Sequence, residues 1–262
     1  MSTDSAMVDE NLRQAMRLFS QASPSGEFRH YPGITLISSG FDYSAFNPVL
    51  LTSEVESATD FARRMAIAET HFGQRGLRWS LWLRDDLFTW RARAESRAYL
   101  KRRGYKPLAE PPGMAARSLN PPEHSLPELE IVSAGVGSHR LTFARILSLC
   151  FDVAMPVAQE IYGSDGFWSR EASGWLGLVG GEAVAVALVV EAEHSLGLYS
   201  VATLPEYRRR GYAERLVRHA LEEARQRTQL DLMVLQSTRE GLPLYQRLGF
   251  RTVCNYHVYL AP

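Results

Sequence analysis

One seven-residue pattern occurs twice, about a domain length apart, and it limits the architectures open to this 262-residue chain. Tyr99-Leu100-Lys101-Arg102-Arg103-Gly104-Tyr105 is matched by Leu244-Tyr245-Gln246-Arg247-Leu248-Gly249-Phe250. Each reads as a helix end stopped by glycine and followed by an aromatic entry into a strand. Solenoid units recur every roughly 20 to 50 residues, so one recurrence at this distance indicates duplication of a whole fold. Single domains usually run on the order of 100 to 200 residues, which makes two domains the expectation.

The elements preceding each copy follow a similar order. In the second half, Glu130 to Val132 reads as a strand, and Ser138 to Phe151 and Val157 to Tyr162 as helices. Trp175 to Val179 and Ala183 to Val190 are apolar, β-branched runs separated by Gly180-Gly181, a hairpin signal. Leu198 to Thr203 is a third strand. Gly211 to Arg227 is an amphipathic helix with Leu216, Val217, Ala220, Leu221 and Ala224 on one face. Asp231 to Leu235 is a buried strand, Leu242 to Leu248 a short helix, and Phe250 to Leu260 one or two closing strands. The front half is a thinner copy. Its strands are Ile34 to Ser38, Val49 to Thr52 and Leu77 to Leu83; a helical stripe runs from Ala58 to Phe72 and a second helix from Glu95 to Arg103. Five prolines crowd between Glu110 and Pro127, and proline removes amide donors and restricts its preceding neighbour. That stretch is expected to resist regular structure except at edges, with a boundary near Leu126 dividing domains 1–126 and 127–262.

Composition narrows the function classes. The formal net charge is zero, so no general attraction to nucleic acid or an anionic membrane follows, and neither is expected as a partner. Any local basic cluster must be justified locally; the only lysines are Lys101 and Lys106. The longest apolar run, Ala183 to Val190, is far short of the roughly 20 residues that span a bilayer. The opening stretch carries Asp4, Asp9 and Glu10 and no secretory pattern. Two cysteines, Cys150 and Cys254, are too few for a disulfide framework, and a reducing cytoplasm is the expected compartment.

The segment richest in chemistry is Val201 to Ala213, a strand end, a turn at Pro205, the triplet Arg208-Arg209-Arg210, then Gly211-Tyr212-Ala213 opening a helix. The first amides of a helix have no internal partner and sit at the positive end of its dipole, so they cradle anions such as a pyrophosphate. Side chains larger than those of Gly211 and Ala213 would hold phosphates away from these amides. Three arginines at that end are unfavourable without an anionic ligand.

Arg208, Gly211 and Ala213 match the Arg/Gln-x-x-Gly-x-Gly/Ala loop that holds acyl-CoA in the GNAT acyltransferase superfamily, which this segment resembles. Leu244 to Phe250 resembles the second GNAT signature, a helix carrying a tyrosine before a Gly-Phe strand entry. The resemblance runs over roughly Leu129 to Leu260. It implies an α+β fold of two GNAT-like domains, each with a mixed, mostly antiparallel central sheet flanked by helices. It also implies acetyl-CoA as co-substrate, no metal, and transfer of an acetyl group to a primary amine. Val201, Ala202 and Thr203 on the strand would contact the pantetheine and acyl carbonyl. The loop residues Arg208, Arg209, Arg210, Gly211, Tyr212 and Ala213 would contact the pyrophosphate, and Ser237 the pantetheine arm. Tyr245 would be the general acid that protonates the leaving thiolate. Many relatives have asparagine seven residues before that tyrosine, whereas this chain has Thr238.

Between Val49 and Phe61 the front half has no such loop, and Leu100 stands where the second half has Tyr245. It resembles the degenerate N-terminal domain of tandem bacterial GNAT proteins, with the expected roles of support and closing one wall of the acceptor groove. A small amine, an amino acid, an antibiotic or a peptide N-terminus would fit as acceptor. The expected state is a monomer with pseudo-dimeric domains or a homodimer. A non-catalytic acyl-CoA sensor and an interaction protein keeping only the fold are the alternatives. Glu191 and Glu193 could relay a proton but read more simply as a hairpin tip. Phe151, Tyr162, Phe167 and Trp168 border the helices that frame the acceptor in the family. Cys254 and His257 are expected on opposite faces of a strand, and His139 and His219 at the surface. Gly177, Gly180 and Gly181 lie between two strands with no helix following, which excludes a dinucleotide-binding reading.

Overall fold

The second copy of the repeat ends in a strand that serves both halves of the chain. A computed structural model describes residues 3–262, and among them twelve strands join into one sheet. The N-terminal half opens with helix α1 (Thr3–Gln21) and the antiparallel strands β1 (Glu27–Tyr31), β2 (Ile34–Ser38) and β3 (Pro48–Leu51). Helix α2 (Ala58–Gly73) crosses over to β4 (Ser80–Arg84), parallel to β3, and α3 (Trp90–Arg102), β5 (Lys106–Ala109) and β6 (Pro112–Ala116) follow.

The C-terminal half repeats that order. Strand β7 (Glu130–Ser133) leads to helices α4 (His139–Phe151) and α5 (Met155–Gly163) and an antiparallel meander of β8 (Ala172–Val179), β9 (Glu182–Glu191) and β10 (Leu196–Thr203). Helix α6 (Tyr212–Thr228) crosses over to β11 (Met233–Gln236), parallel to β10, and α7 (Leu242–Arg247) and β12 (Arg251–Leu260) close the chain. Gly180 and Gly181 both have positive φ, 59° and 82°, as the tight β8–β9 turn requires. The buried residues Leu216, Val217, Ala220, Leu221 and Ala224 seat α6 on one face of the sheet, and α4 and α5 cover the other.

The two halves exchange their last strands. β6, from the first half, lies between β11 and β12 in the C-terminal part of the sheet. β12 pairs with β6 through Arg251 to Asn255, then with β4 through Tyr256 to Leu260, while β5 pairs with its far end. This corrects the expectation for the proline-rich segment, which contains a central strand. Pro112 is the first residue of β6 and no other proline falls within it, and Met114, Ala115 and Ala116 are buried between neighbours far away in sequence. The closing segment forms a single strand, Arg251–Leu260, with a register shift between Thr252 and Cys254.

Helix α1 crosses the seam. Val8, Leu12, Ala15, Met16 and Leu18 are buried. Asn11 Nδ2 donates to the Val190 and Ser195 carbonyls at 3.2 and 3.1 Å, and the Tyr199 hydroxyl donates to Asn11 Oδ1 at 2.9 Å. On the other half, buried Asp9 pairs with Arg84 of β4 at 3.4 Å and accepts from the Tyr256 hydroxyl at 3.3 Å. Gly113 of β6 sits beneath this helix, where a Cβ would lie 2.5 Å from Cys254 Sγ and 3.0 Å from Val8 Cγ1. Gly113→Ala is therefore expected to destabilise the protein by about 1–3 kcal/mol, the usual cost of overpacking, read as a lowered midpoint in chemical denaturation.

Candidate functional site

The pairing of β10 with β11 covers only Leu196–Met233 and Gly197–Val234, although both strands continue. Past Gly197 they diverge and leave a wedge between their C-terminal ends. In the same stretch β10 carries an extra residue against β9, because Tyr199 faces Leu188 while Ala202 faces Val186. Ser200, within this bulge, has φ 50°, and neither it nor Val201 has a ladder partner on β9. Ala202 is buried, and Val201 and Thr203 are half-buried.

Beyond Thr203 the chain makes a short 3-10 turn over Pro205–Tyr207 and enters the arginine triplet. Arg208 Nε donates to the Thr203 carbonyl at 2.9 Å, and the Arg210 guanidinium stands 5.6 Å from the centre of the Tyr207 ring. Arg209 and Gly211 are left-handed, with φ 62° and 85°, and such turns line successive amides along one concave side. Gly211 is the N-cap of α6 and provides no side chain to cap it, so the amides of Tyr212, Ala213 and Glu214 have no partner among the described residues. A Cβ on Gly211 would lie 2.9 Å from Pro127 Cδ, so glycine is required there by the backbone and by the linker.

The wedge and the loop meet at Thr203, whose Oγ1 is buried without a hydrogen-bond partner. An orphaned hydroxyl, a row of unbonded amides and three exposed arginines fit a phosphate-bearing ligand with a polar arm. Across the wedge, the Ser237 hydroxyl is buried and donates to the Thr238 carbonyl at 2.7 Å, and the Ser237 amide donates to Pro112 of β6. Thr238 Oγ1 accepts the Gly241 amide at 3.1 Å, which organises the entry to α7. Tyr245 is 8% exposed and packs edge-on against Phe250 at 6.0 Å. Its hydroxyl has no hydrogen bond among the described residues, and burial raises its pKa above the ordinary phenol value.

Several residues that the sequence did not single out support this site. Asn120 of the linker donates from its amide to Leu248 and from Nδ2 to Arg247, both at 3.0 Å. Arg218 of α6 donates to Asn120 at 2.7 Å and to Glu214. The linker thus clamps α6 to α7. The N-terminal half contributes Phe41, Tyr43 and Phe46, which pack with Phe19 and Tyr162 against α4 and α5. Tyr162 and Phe167 are core residues, whereas Phe151 is 43% exposed. Glu191 is ion-paired with Arg227, and Glu193 is exposed. His219 is half-buried against Trp175 at 4.8 Å, which corrects its expected surface placement. Among the described residues no three His, Cys, Asp or Glu side chains converge as a metal site, and no helix is long and apolar enough to cross a membrane.

Residues 142–250 match the model of the acetyltransferase (GNAT) family. The whole chain superposes on a GCN5-related N-acetyltransferase from Kribbella flavida with a TM-score of 0.74 at 16% identity, covering 100% of this chain and 96% of the other. A GCN5-related N-acetyltransferase from Sphaerobacter thermophilus gives 0.59 at 15% identity, covering 88% and 78%. A tandem GNAT protein from the clavulanic acid biosynthesis pathway gives 0.54 at 12% identity, covering 98% and 96%. At these identities the structural likenesses establish the shared fold. No curated protein sequence matches the chain.

Because the Tyr245 hydroxyl has no internal partner, Tyr245→Phe is expected to change stability at pH 7 by less than about 0.5 kcal/mol. The native phenol keeps its proton after the unfolded chain begins to lose it near about pH 10, so wild-type stability falls as pH rises beyond that. The phenylalanine variant escapes this loss, and denaturation at pH 7 and about pH 11 should show the two proteins diverging only at the higher pH.

Proposed function

Since residues 142–250 form a GNAT-family domain, we propose that this protein is an acyl-CoA-dependent N-acetyltransferase moving an acetyl group from acetyl-CoA to the primary amine of an acceptor. The reading rests on one observation: the wedge between β10 and β11 ends beside the unbonded amides of α6. Those amides and Arg208, Arg209 and Arg210 hold the pyrophosphate, and the backbone freed at Ser200 and Val201 aligns the thioester. The bound thioester supplies an activated acyl group, so the chain's task is positioning and stabilising charge.

Tyr245 holds a proton across the physiological range and gives it to the departing thiolate. The amine attacks from the α4–α5 side, where Phe41 and Tyr43 of the N-terminal half close one wall. The acceptor is a small-molecule amine or a peptide N-terminus. In this reading residues 1–126 are a degenerate GNAT-like domain that binds no CoA, and 127–262 are the catalytic domain.

Two substitutions test separate parts of this account. Ala213→Glu puts a carboxylate among the pyrophosphate-binding amides while preserving a good helix former, and should weaken acetyl-CoA binding at least about tenfold with an unchanged melting temperature. Tyr245→Phe should lower kcat by about 10²- to 10⁴-fold, the usual range for general acid catalysis, with little change in acetyl-CoA affinity. Free thiol released in a screen of amines provides the readout. Binding of acetyl-CoA without turnover for any amine would replace the enzyme reading with that of an acyl-CoA sensor.

A further inference from the structure

Past Gly197 no ladder bond joins β10 to β11, so something other than the sheet has to set the width of the wedge between them. One face of both strands is covered there by α1, from the front half, and two of its residues one turn apart reach the two sides of the wedge. On the β10 side, the Tyr199 hydroxyl donates to Asn11 Oδ1 at 2.9 Å. On the β11 side, Gln236 Nε2 donates to the Val8 carbonyl at 3.5 Å and stands beside the Tyr199 hydroxyl. Tyr199 is the last residue in register with β9 before the bulge at Ser200, and Gln236 ends β11. Both contacts therefore fall where the strands have already parted.

The surroundings of Asn11 are shaped to this contact. The residue is 0% exposed, and Nδ2 donates to the Val190 and Ser195 carbonyls and to Ser195 Oγ at 3.2, 3.1 and 3.1 Å. With Oδ1 taken by Tyr199, both polar atoms of the buried amide are paired, as its removal from water requires. β10 makes room for it, since a Cβ on Gly197 would lie 1.8 Å from Asn11 Oδ1 and 2.5 Å from Tyr199 Cε2. A leucine would fill similar space, but only a set of directional bonds holds β10 against α1 in one arrangement.

We infer that Asn11 is a positioning residue for the acyl-CoA arm. Through Tyr199 it holds β10 at the start of its bulge, and with Val8 and Gln236 it makes one turn of α1 the spacer that fixes the wedge. The inference rests on the reading of the wedge as an acyl-CoA site. Val8 and Asn11 are about 4.5 Å apart along the helix axis, a rigid separation where the strands themselves share no bonds. Released from Asn11, the backbone at Ser200 and Val201 shifts relative to the start of α6, and a misplacement of about 1 Å is enough to spoil the alignment of a thioester. The pyrophosphate end, held by α6 and its loop, is untouched.

Calorimetry on the full chain separates the two ends of the ligand by comparing acetyl-CoA with 3′-phospho-ADP, which is CoA without its pantetheine arm. Tyr199→Phe keeps the ring and deletes the bond to Asn11, and Gln236→Met keeps the side-chain length and deletes the bond to Val8. Each should weaken acetyl-CoA at least about fivefold and leave 3′-phospho-ADP within about twofold of wild type. Ile34→Val, a change in the separate core of the front half, is the control for destabilisation alone and should leave both affinities as they are. In the ligand-free protein, amide hydrogen exchange from Leu198 to Ala202 should quicken at least about tenfold in Tyr199→Phe and not in Ile34→Val. If wild type binds both ligands, an unchanged ratio of affinities in the two wedge variants, or unchanged exchange in β10, would overturn this proposal alone. Wild-type protein that binds neither ligand would remove the acyl-CoA reading, and the positioning role with it.

Discussion

One strand has to complete both halves of the sheet at once, and the rest of the molecule is arranged around that requirement. β12 gives its first five residues to β6 and its last five to β4, so neither half completes its sheet from its own sequence. A ladder interrupted there would leave buried amides and carbonyls unpaired on both sides, and each such group costs about 1–3 kcal/mol. The exchange therefore makes the halves fold as a unit. α1 reinforces the joint from above, with Asn11 tied to β9 and β10 and Asp9 to Arg84 and Tyr256. The Asp9–Arg84 pair belongs to a network in which Asp9 also meets Arg13 and Arg84 also meets Asp86.

The same joint bears on the candidate site. β6, a strand from the front half, lies directly beside β11, and the Ser237 amide at the edge of the wedge donates to the first residue of that strand. The linker then runs past α7 and α6, where Asn120 fastens one to the other and Pro127 fills the space beside Gly211. The front half supplies a strand, a clamp and an aromatic cluster to the C-terminal half. Its own place for a tyrosine is taken by Leu100, which is sealed in the core.

Elements whose own residues carry the signal were legible in the sequence. β8, β9 and their two-glycine turn, and α6 with its apolar stripe, are local features, and they appear where the pattern put them. β6 was not legible, because five residues opening on a proline become a central strand only through neighbours more than a hundred positions away. α1 carried Val8, Leu12, Ala15 and Met16 at helical spacing, a signal obscured by its acidic start. In the candidate site, the arginine loop and the tyrosine helix are motifs and could be read. The orphaned Thr203 hydroxyl, the Asn120 clamp and the half-burial of His219 against Trp175 arise from packing, which no single-sequence pattern encodes.

In the proposed function the duplicated fold retains one acyl-CoA site, between β10 and β11, and the front half supports it. Calorimetric titration of the full chain with acetyl-CoA measures this directly through its stoichiometry. One acetyl-CoA per chain is expected. Two per chain would show that the front half still holds the cofactor, and no binding at all would remove acyl transfer from this protein.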